Sequence, residues 1–169
     1  QGFTIFEQVL VNEQLGRATN GLWTTVWQPP VSLKFGTPEQ KRRYLIPSCE
    51  GERRGAFAIT EPGAGSDAGA VTPRAERHGS GFRLTGEKWF VTSWNASDYV
   101  LVHALVDGDP AKPTLFIVDK SLPGVRHIRS PRFMHNYAFD HAEVAFDGVE
   151  LPSDAMLGKV GEGFDLTKD

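Results

Sequence analysis

Cysteine is nearly absent. Cys49 is the single cysteine among 169 residues and has no partner within the chain. A disulfide scaffold is therefore excluded. The five histidines show no ligand spacing with it, which argues against a metal centre. No apolar run approaches the ~20 residues that a membrane-spanning helix needs. Basic excess is missing too: 18 Lys and Arg stand against 21 Asp and Glu, a net charge of −3. Nucleic acid is not the expected partner of such a chain. Gln1-Gly2-Phe3 carries no charged leader and reads as no secretion signal. There is no low-complexity tract and no internal repeat. What remains is ordinary globular composition, 40% hydrophobic and 23% charged. The length allows one domain or two small ones and a real core, with about 70% of the unfolded surface removed from water.

The first fifty residues read as helical. Ile5, Phe6, Val9, Leu10 and Leu15 recur near the 3.6-residue period and form one apolar stripe. Asn20-Gly21 breaks it, and Leu22 to Val26 reads as a second, short helix. Thr37 is a good N-cap, with Pro38 at the first helical position. Tyr44, Leu45 and Cys49 are expected to face inward. Pro47 predicts a bend or an early stop.

From Ala56 the texture turns to strands punctuated by Gly, Pro and Asp. Candidate strands are Phe57 to Thr60, Arg74 to Arg77, Phe82 to Leu84, Trp89 to Ser93, Tyr99 to Val106, Thr114 to Val118, Val125 to Ile128 and Ala142 to Phe146. His78-Gly-Ser-Gly81 reads as a hairpin turn. Helices followed by strands, without βαβ alternation, imply an α+β chain: a helical segment, then an antiparallel β-barrel-like or sandwich domain.

The densest signal is Thr60-Glu-Pro-Gly-Ala-Gly-Ser-Asp67, directly after a strand. Gly63 and Gly65 let amide groups converge, so the turn can cradle a phosphate or simply connect strands. Gly63-x-Gly65-x-x-Ala68 fits the loose dinucleotide pattern, but that pattern needs a helix next. Val71-Thr-Pro73 follows instead, and the Rossmann reading fails. The second signal is Gly86-Glu-Lys-Trp-Phe-Val-Thr-Ser93. Two aromatics ahead of a threonine can cover a planar ring and hydrogen-bond its heteroatoms, or can belong to a core strand.

The two signals together resemble the acyl-CoA dehydrogenase family. Phe57-Ala-Ile-Thr-Glu-Pro-Gly-Ala-Gly-Ser-Asp67 looks like its signature, and Gly86-x-Lys88-x-Phe90-Val-Thr92 like its second flavin strand. Gly36-Thr-Pro-Glu-Gln-Lys41, Phe146-Asp-Gly-Val-Glu-Leu-Pro152 and Gly161-x-Gly163-Phe164 also fit, in the same order. The resemblance implies three parts in this chain: 1–54 as the end of an N-terminal helical domain, 55–157 as a middle β domain, and 158–169 as the start of a C-terminal helical domain. The chain is thus expected to be a piece of a longer protein.

By resemblance the cofactor is FAD, contacted by Phe57, Ala58, Ile59, Thr60, Gly65, Ser66, Phe90, Val91 and Thr92. Thr60 would bond the pyrimidine edge of the flavin. Thr92 would bond near N5, the hydride acceptor. Phe90 stands where many members have tryptophan against the flavin face. Ser66 would also touch the acyl-CoA substrate. Strand alternation would put Phe90 and Thr92 on one face, with Trp89 and Val91 on the other. Glu61 and Asp67 read as structural parts of the turn. The reaction implied is α,β-dehydrogenation of an acyl thioester. No residue here is expected to be its base, which the family carries in the C-terminal domain. The basic stretch Arg126, His127, Arg129, Arg132 and His135 could meet CoA phosphates, face solvent or contact a subunit. Further implied are an electron-transfer flavoprotein or another acceptor, a homodimer or homotetramer, and residence in the bacterial cytoplasm or mitochondrial matrix. An acyl-CoA oxidase, a flavin monooxygenase and a non-catalytic binding domain are the alternatives.

Overall fold

A computed structural model describes residues 2–18, 28–64, 66–134 and 138–168. The chain forms two compact units, residues 1–27 with 132–138 and residues 28–131 with 139–169.

In the first unit, helix α1 spans Ile5–Leu15 and opens on a capping box. The Thr4 hydroxyl accepts from the Glu7 amide, while the Glu7 carboxylate accepts from the Thr4 amide and hydroxyl. None of its residues is buried, so the stripe of Ile5, Phe6, Val9 and Leu10 is exposed. The short helix expected over Leu22 to Val26 lies outside the described residues. No helix among those described is long and apolar enough to cross a membrane.

In the second unit a 3-10 turn (Val31–Phe35) precedes a helical run in three stretches: α2 (Pro38–Gln40), a π turn (Lys41–Leu45) and α3 (Ile46–Glu50). Thr37 caps it as expected, its hydroxyl accepting from the Gln40 amide at 3.2 Å. Pro47 does not stop the helix. The wider preceding turn, where the Ile46 amide reaches back to Lys41, carries the chain past the ring, and Gly51 closes the run at φ +79°. Tyr44 and the half-buried Leu45 face inward as expected, but Cys49 does not. Gln40, Tyr44 and Ser48 are buried, whereas Cys49 is exposed. Each buried polar group is satisfied. Gln40 Nε2 donates to the Asp154 and Met156 carbonyls, the Tyr44 hydroxyl donates to Asp119, and Ser48 Oγ lies 2.8 Å from the Tyr99 hydroxyl.

Eight strands follow: β1 (Gly55–Ala58), β2 (Arg74–His78), β3 (Gly81–Thr92), β4 (Tyr99–Val106), β5 (Pro113–Asp119), β6 (Val125–Arg129), β7 (His141–Leu151) and β8 (Met156–Leu157). They make one sheet in the order β6-β7-β3-β2-β4-β5-β8, with β1 also on β4. The expected β domain is present, but its sheet is mixed rather than wholly antiparallel. β1 and β2 both run parallel to β4, pairing with Tyr99–Val102 and with Leu105 and Val106 respectively. They therefore lie end to end along one edge of β4. The chain between them, residues 59–73, must leave the sheet and return. The sheet is not closed.

β4 is buried along its whole length, which is why Tyr99 to Val106 reads as an almost unbroken apolar run. Val100, Val102, Ala104 and Val106 enter one core with Phe82, Leu84, Phe116, Val144 and Phe146. Tyr99 and Leu101 enter a second core with Leu33, Tyr44, Leu115, Ile117 and Leu157. The sheet curls round the first core, for the rings of Phe82 on β3 and Phe116 on β5 meet at 5.1 Å. Each fully buried large side chain contributes about 1.5–3 kcal/mol.

The β2–β3 hairpin turns on two residues, with Gly79 at φ +56° and His78 paired with Gly81. At Gly81 a Cβ would lie 2.0 Å from the Leu151 carbonyl oxygen. Gly81→Ala is therefore expected to destabilise the protein by about 3 kcal/mol, the upper range for overpacking. Urea unfolding checks this: the midpoint should fall with the slope unchanged.

Candidate functional site

The two sequence signals meet in space. Residues 59 and 60 leave the end of β1, and the Thr60 carbonyl accepts from the Trp89 amide of β3 at 2.8 Å. Beneath this bond lies an ion pair. Lys88 Nζ is 2.6 Å from Glu61 Oε1 and donates to the Ile59 carbonyl at 3.0 Å. Glu61 Oε2 accepts from the amide and the hydroxyl of Thr72, at 2.8 and 2.7 Å. The Lys88 and Glu61 side chains are 0% and 2% exposed. Burial lowers the Lys88 pKa to about 8, against the opposing pull of Glu61. Such a pair must satisfy every lone pair and proton it can, and this one gathers both ends of the 59–73 excursion. Glu61 is thus structural, as expected. So is Asp67, whose carboxylate accepts from the Gly69 amide at 2.9 Å.

Immediately after Lys88 the β3–β7 ladder slips. Lys88 pairs with Val144 and Val91 with Ala142, so Trp89 and Phe90 together face Glu143 alone. This is a β-bulge. Phe90 adopts φ +55° and Ser93 φ +66°, left-handed values that side chains seldom accept. The bulge overturns the strict alternation expected here. Lys88 and Val91 are both buried, while Trp89 is only half-buried and Phe90 is 44% exposed. The two rings pack edge to face at 5.9 Å. Two aromatics and the half-buried Thr92 therefore lie away from the core. The Thr92 hydroxyl sits 2.9 Å from His141 Nδ1 and 3.4 Å from the Phe90 carbonyl.

Among the other residues singled out from the sequence, Ala58 and Val91 commit their side chains to the first core. Phe57 packs on the second core, edge to face with His103 at 5.5 Å. Ile59 and Thr60 are half-buried, Ser66 is exposed, and Gly65 lies outside the described residues. The basic stretch is occupied locally. Arg126 pairs with Asp147, Arg129 grips Glu143 through two 2.7 Å bonds, and His127 lies 2.9 Å from Ser130 Oγ. His135 is outside the described residues, and Arg132 belongs to the other compact unit. No cluster that could hold a metal occurs among the described residues.

Sequence reasoning missed His103. It is fully buried on β4, stacks on Phe164 at 4.8 Å, and neither ring nitrogen has a hydrogen-bond partner. It also missed the partnership of Thr92 with His141.

Residues 56–149 match the family profile for the acyl-CoA dehydrogenase middle domain, and residues 1–52 the profile for the N-terminal domain. The chain belongs to the acyl-CoA dehydrogenase family. It is 37% identical to an acyl-CoA dehydrogenase of Bacillus subtilis over 85% of this chain and 38% of that one. The solved butyryl-CoA dehydrogenase of Megasphaera elsdenii superposes with a TM-score of 0.86 at 32% identity, covering 98% of this chain and 45% of the other. An acyl-CoA dehydrogenase complexed with FAD from Bacillus anthracis superposes with a TM-score of 0.87 at 29% identity, over 98% of this chain and 30% of the other. The chain thus spans less than half the length of these family members.

The burial of His103 generates a pH dependence. Desolvation first, and the Lys88 charge second, lower its pKa to about 4. The folded state keeps the ring neutral, while the unfolded chain takes up a proton below about pH 6.5. Stability from this group is therefore present above that value and lost as the pH falls toward 4. Wild type should lose about 3 kcal/mol more than His103→Leu between neutral pH and pH 4. Urea unfolding across that range checks it; parallel profiles would contradict it.

Proposed function

We propose that the whole protein is an FAD-dependent oxidoreductase that dehydrogenates an acyl-CoA thioester at its α and β carbons. The observation that carries this reading is the outward pair Trp89 and Phe90, beside the Thr92 hydroxyl, on a bulge bonded to the 60–67 turn. The fit to a flavin is chemical. An isoalloxazine needs an aromatic or apolar surface against its face and hydrogen-bond groups at its edge. Phe90 offers a ring with 44% of its surface open, held in a left-handed backbone. Strain of this kind collects where a site has to be pre-shaped.

In this reading Phe90 covers the ring, Thr92 reaches N5, and Thr60 serves the pyrimidine edge. Backbone at Phe57, Ala58, Ile59 and Val91 completes the wall, with Gly65 and Ser66 toward the cofactor and the acyl-CoA. A flavin held here would supply a two-electron acceptor for the β-hydride, with the α-proton going to a base, so that the thioester would lose two electrons and two hydrogens. The redox chemistry belongs to the cofactor; this chain orients it and excludes water. The base is assigned to the remainder of the protein, as the family resemblance implies. Glu61 is spent on Lys88 and Thr72. The boundaries proposed for the domains are 1–54, 55–157 and 158–169. The electrons pass on to an electron-transfer flavoprotein or another acceptor, and the subunits associate as dimers or tetramers.

Reconstitution of the whole protein with FAD tests the reading. The protein should hold the flavin through gel filtration, and anaerobic addition of short-, medium- and long-chain acyl-CoAs should bleach it with at least one of them. A colourless protein contradicts the cofactor. A flavin bleached but reoxidised rapidly by dioxygen would favour an oxidase or monooxygenase.

A further inference from the structure

Thr92 and His141 are directly opposite each other in the β3–β7 ladder, two residues beyond the bulge. The contact is held from both sides. On β3, the bulge and the left-handed Phe90 and Ser93 fix the path of the strand. On β7, the residue before His141 is fastened by four bonds. The Asp140 carbonyl accepts from the Ser93 amide at 2.8 Å, and the Asp140 amide donates to Asn95 Oδ1 at 3.2 Å. The Asp140 carboxylate accepts from the Asn95 amide at 2.9 Å and from Ser130 Oγ at 2.5 Å. His141 Nδ1 is thereby brought to 2.9 Å from Thr92 Oγ1.

A threonine hydroxyl has one proton and two lone pairs. What it offers a third group is decided by what its neighbour takes. If Nδ1 is unprotonated, it takes the hydroxyl proton, and Thr92 can only accept. If Nδ1 carries a hydrogen, it donates to Oγ1, and the hydroxyl proton is released for another acceptor. The competing acceptor, the Phe90 carbonyl, is at 3.4 Å and weak.

We propose that His141 is a positioning residue that donates its Nδ1–H to Thr92 Oγ1 and so turns the Thr92 proton outward, toward the N5 edge of the flavin. This rests on the flavin placement proposed above. An unprotonated ring nitrogen such as N5 of oxidised flavin is an acceptor and needs a donor opposite it. A threonine alone would divide its proton between that nitrogen and the Phe90 carbonyl. With His141 supplying a hydrogen to Oγ1, the hydroxyl proton is kept off Nδ1 and left for N5, against which the Phe90 carbonyl at 3.4 Å is a weak competitor.

The test has one arm without flavin and one with it. In the flavin-free whole protein, nitrogen NMR of histidine-labelled material reads the His141 tautomer, with the signal assigned by its loss in His141→Asn. Protonated Nδ1 with bare Nε2 is expected, and Thr92→Val should abolish that preference. A bare Nδ1 overturns the proposal. In protein loaded with flavin labelled at N5, the N5 resonance should move in His141→Leu and in Thr92→Val. It should return in His141→Asn, whose side-chain amide can donate from nearly the same place. Flavin reduction should slow about five- to tenfold in His141→Leu and recover in His141→Asn, with flavin affinity changed less than about threefold. Identical behaviour of the Leu and Asn variants overturns the proposal. The expected tautomer together with an N5 resonance indifferent to Thr92→Val contradicts the flavin placement instead, and removes the use proposed for the hydroxyl.

Discussion

The buried pair of Lys88 and Glu61 is the constraint on which the rest of the site depends. Taking two charges out of water is costly, and their attraction repays it only where the remaining hydrogen-bonding capacity is also met. Here it is met by backbone and hydroxyl groups drawn from two places, the Ile59 carbonyl at the exit of β1 and the Thr72 amide and hydroxyl ahead of β2, while the pair itself ties both to Lys88 on β3. The pair is therefore a knot in a chain that must leave the sheet at residue 59 and return by 74. Removing one partner would strand the other charge, at about 3–5 kcal/mol.

The open aromatic face follows from the same knot. β3 is long and would normally alternate to its end. Holding Lys88 inward against Glu61, and Val91 inward in the first core, leaves two residues between them. Two inward positions three residues apart require a bulge, and the bulge pushes Trp89 and Phe90 to the outside together. The Trp89 amide then has no strand partner on that side except the Thr60 carbonyl, which it takes. Motif one and motif two are thus a single structure. Its fixed outer edge is where Thr92 meets His141.

Much of this was legible in the sequence. β4 was, because burial on both faces leaves an apolar run broken only by His103, and the β2–β3 hairpin was, because Gly79 suits a two-residue turn. The glycine-rich turn and the aromatic strand were both recognised, and family resemblance supplied their connection. What was not legible has physical causes. Parallel pairing of β1 and β2 with β4 is set by where the 59–73 excursion returns, and no local pattern encodes that. On the 38–50 helix the expected Tyr44 is joined on the inward face by Gln40 and Ser48, polar residues that a search for apolar periodicity passes over. The bulge did leave a trace. Phe82 and Leu84 face inward at alternate positions, and the same alternation carries a lysine to position 88. A lysine at a core position demands a carboxylate, and Glu61 lies in the neighbouring motif. His103 and His141 leave no such trace, since a lone histidine in a strand carries no period.

Amide hydrogen exchange of the whole protein carrying Glu61→Gln tests most directly whether the buried pair holds the turn against β3. Exchange at the Trp89 and Thr72 amides should accelerate by at least about tenfold, because both bonds depend on the knot. The amides of Val100 and Val102 in the centre of β4 should keep their protection. Unchanged exchange at Trp89 and Thr72, or equal acceleration throughout the sheet, would contradict a local knot and return the pair to the role of an ordinary core contact.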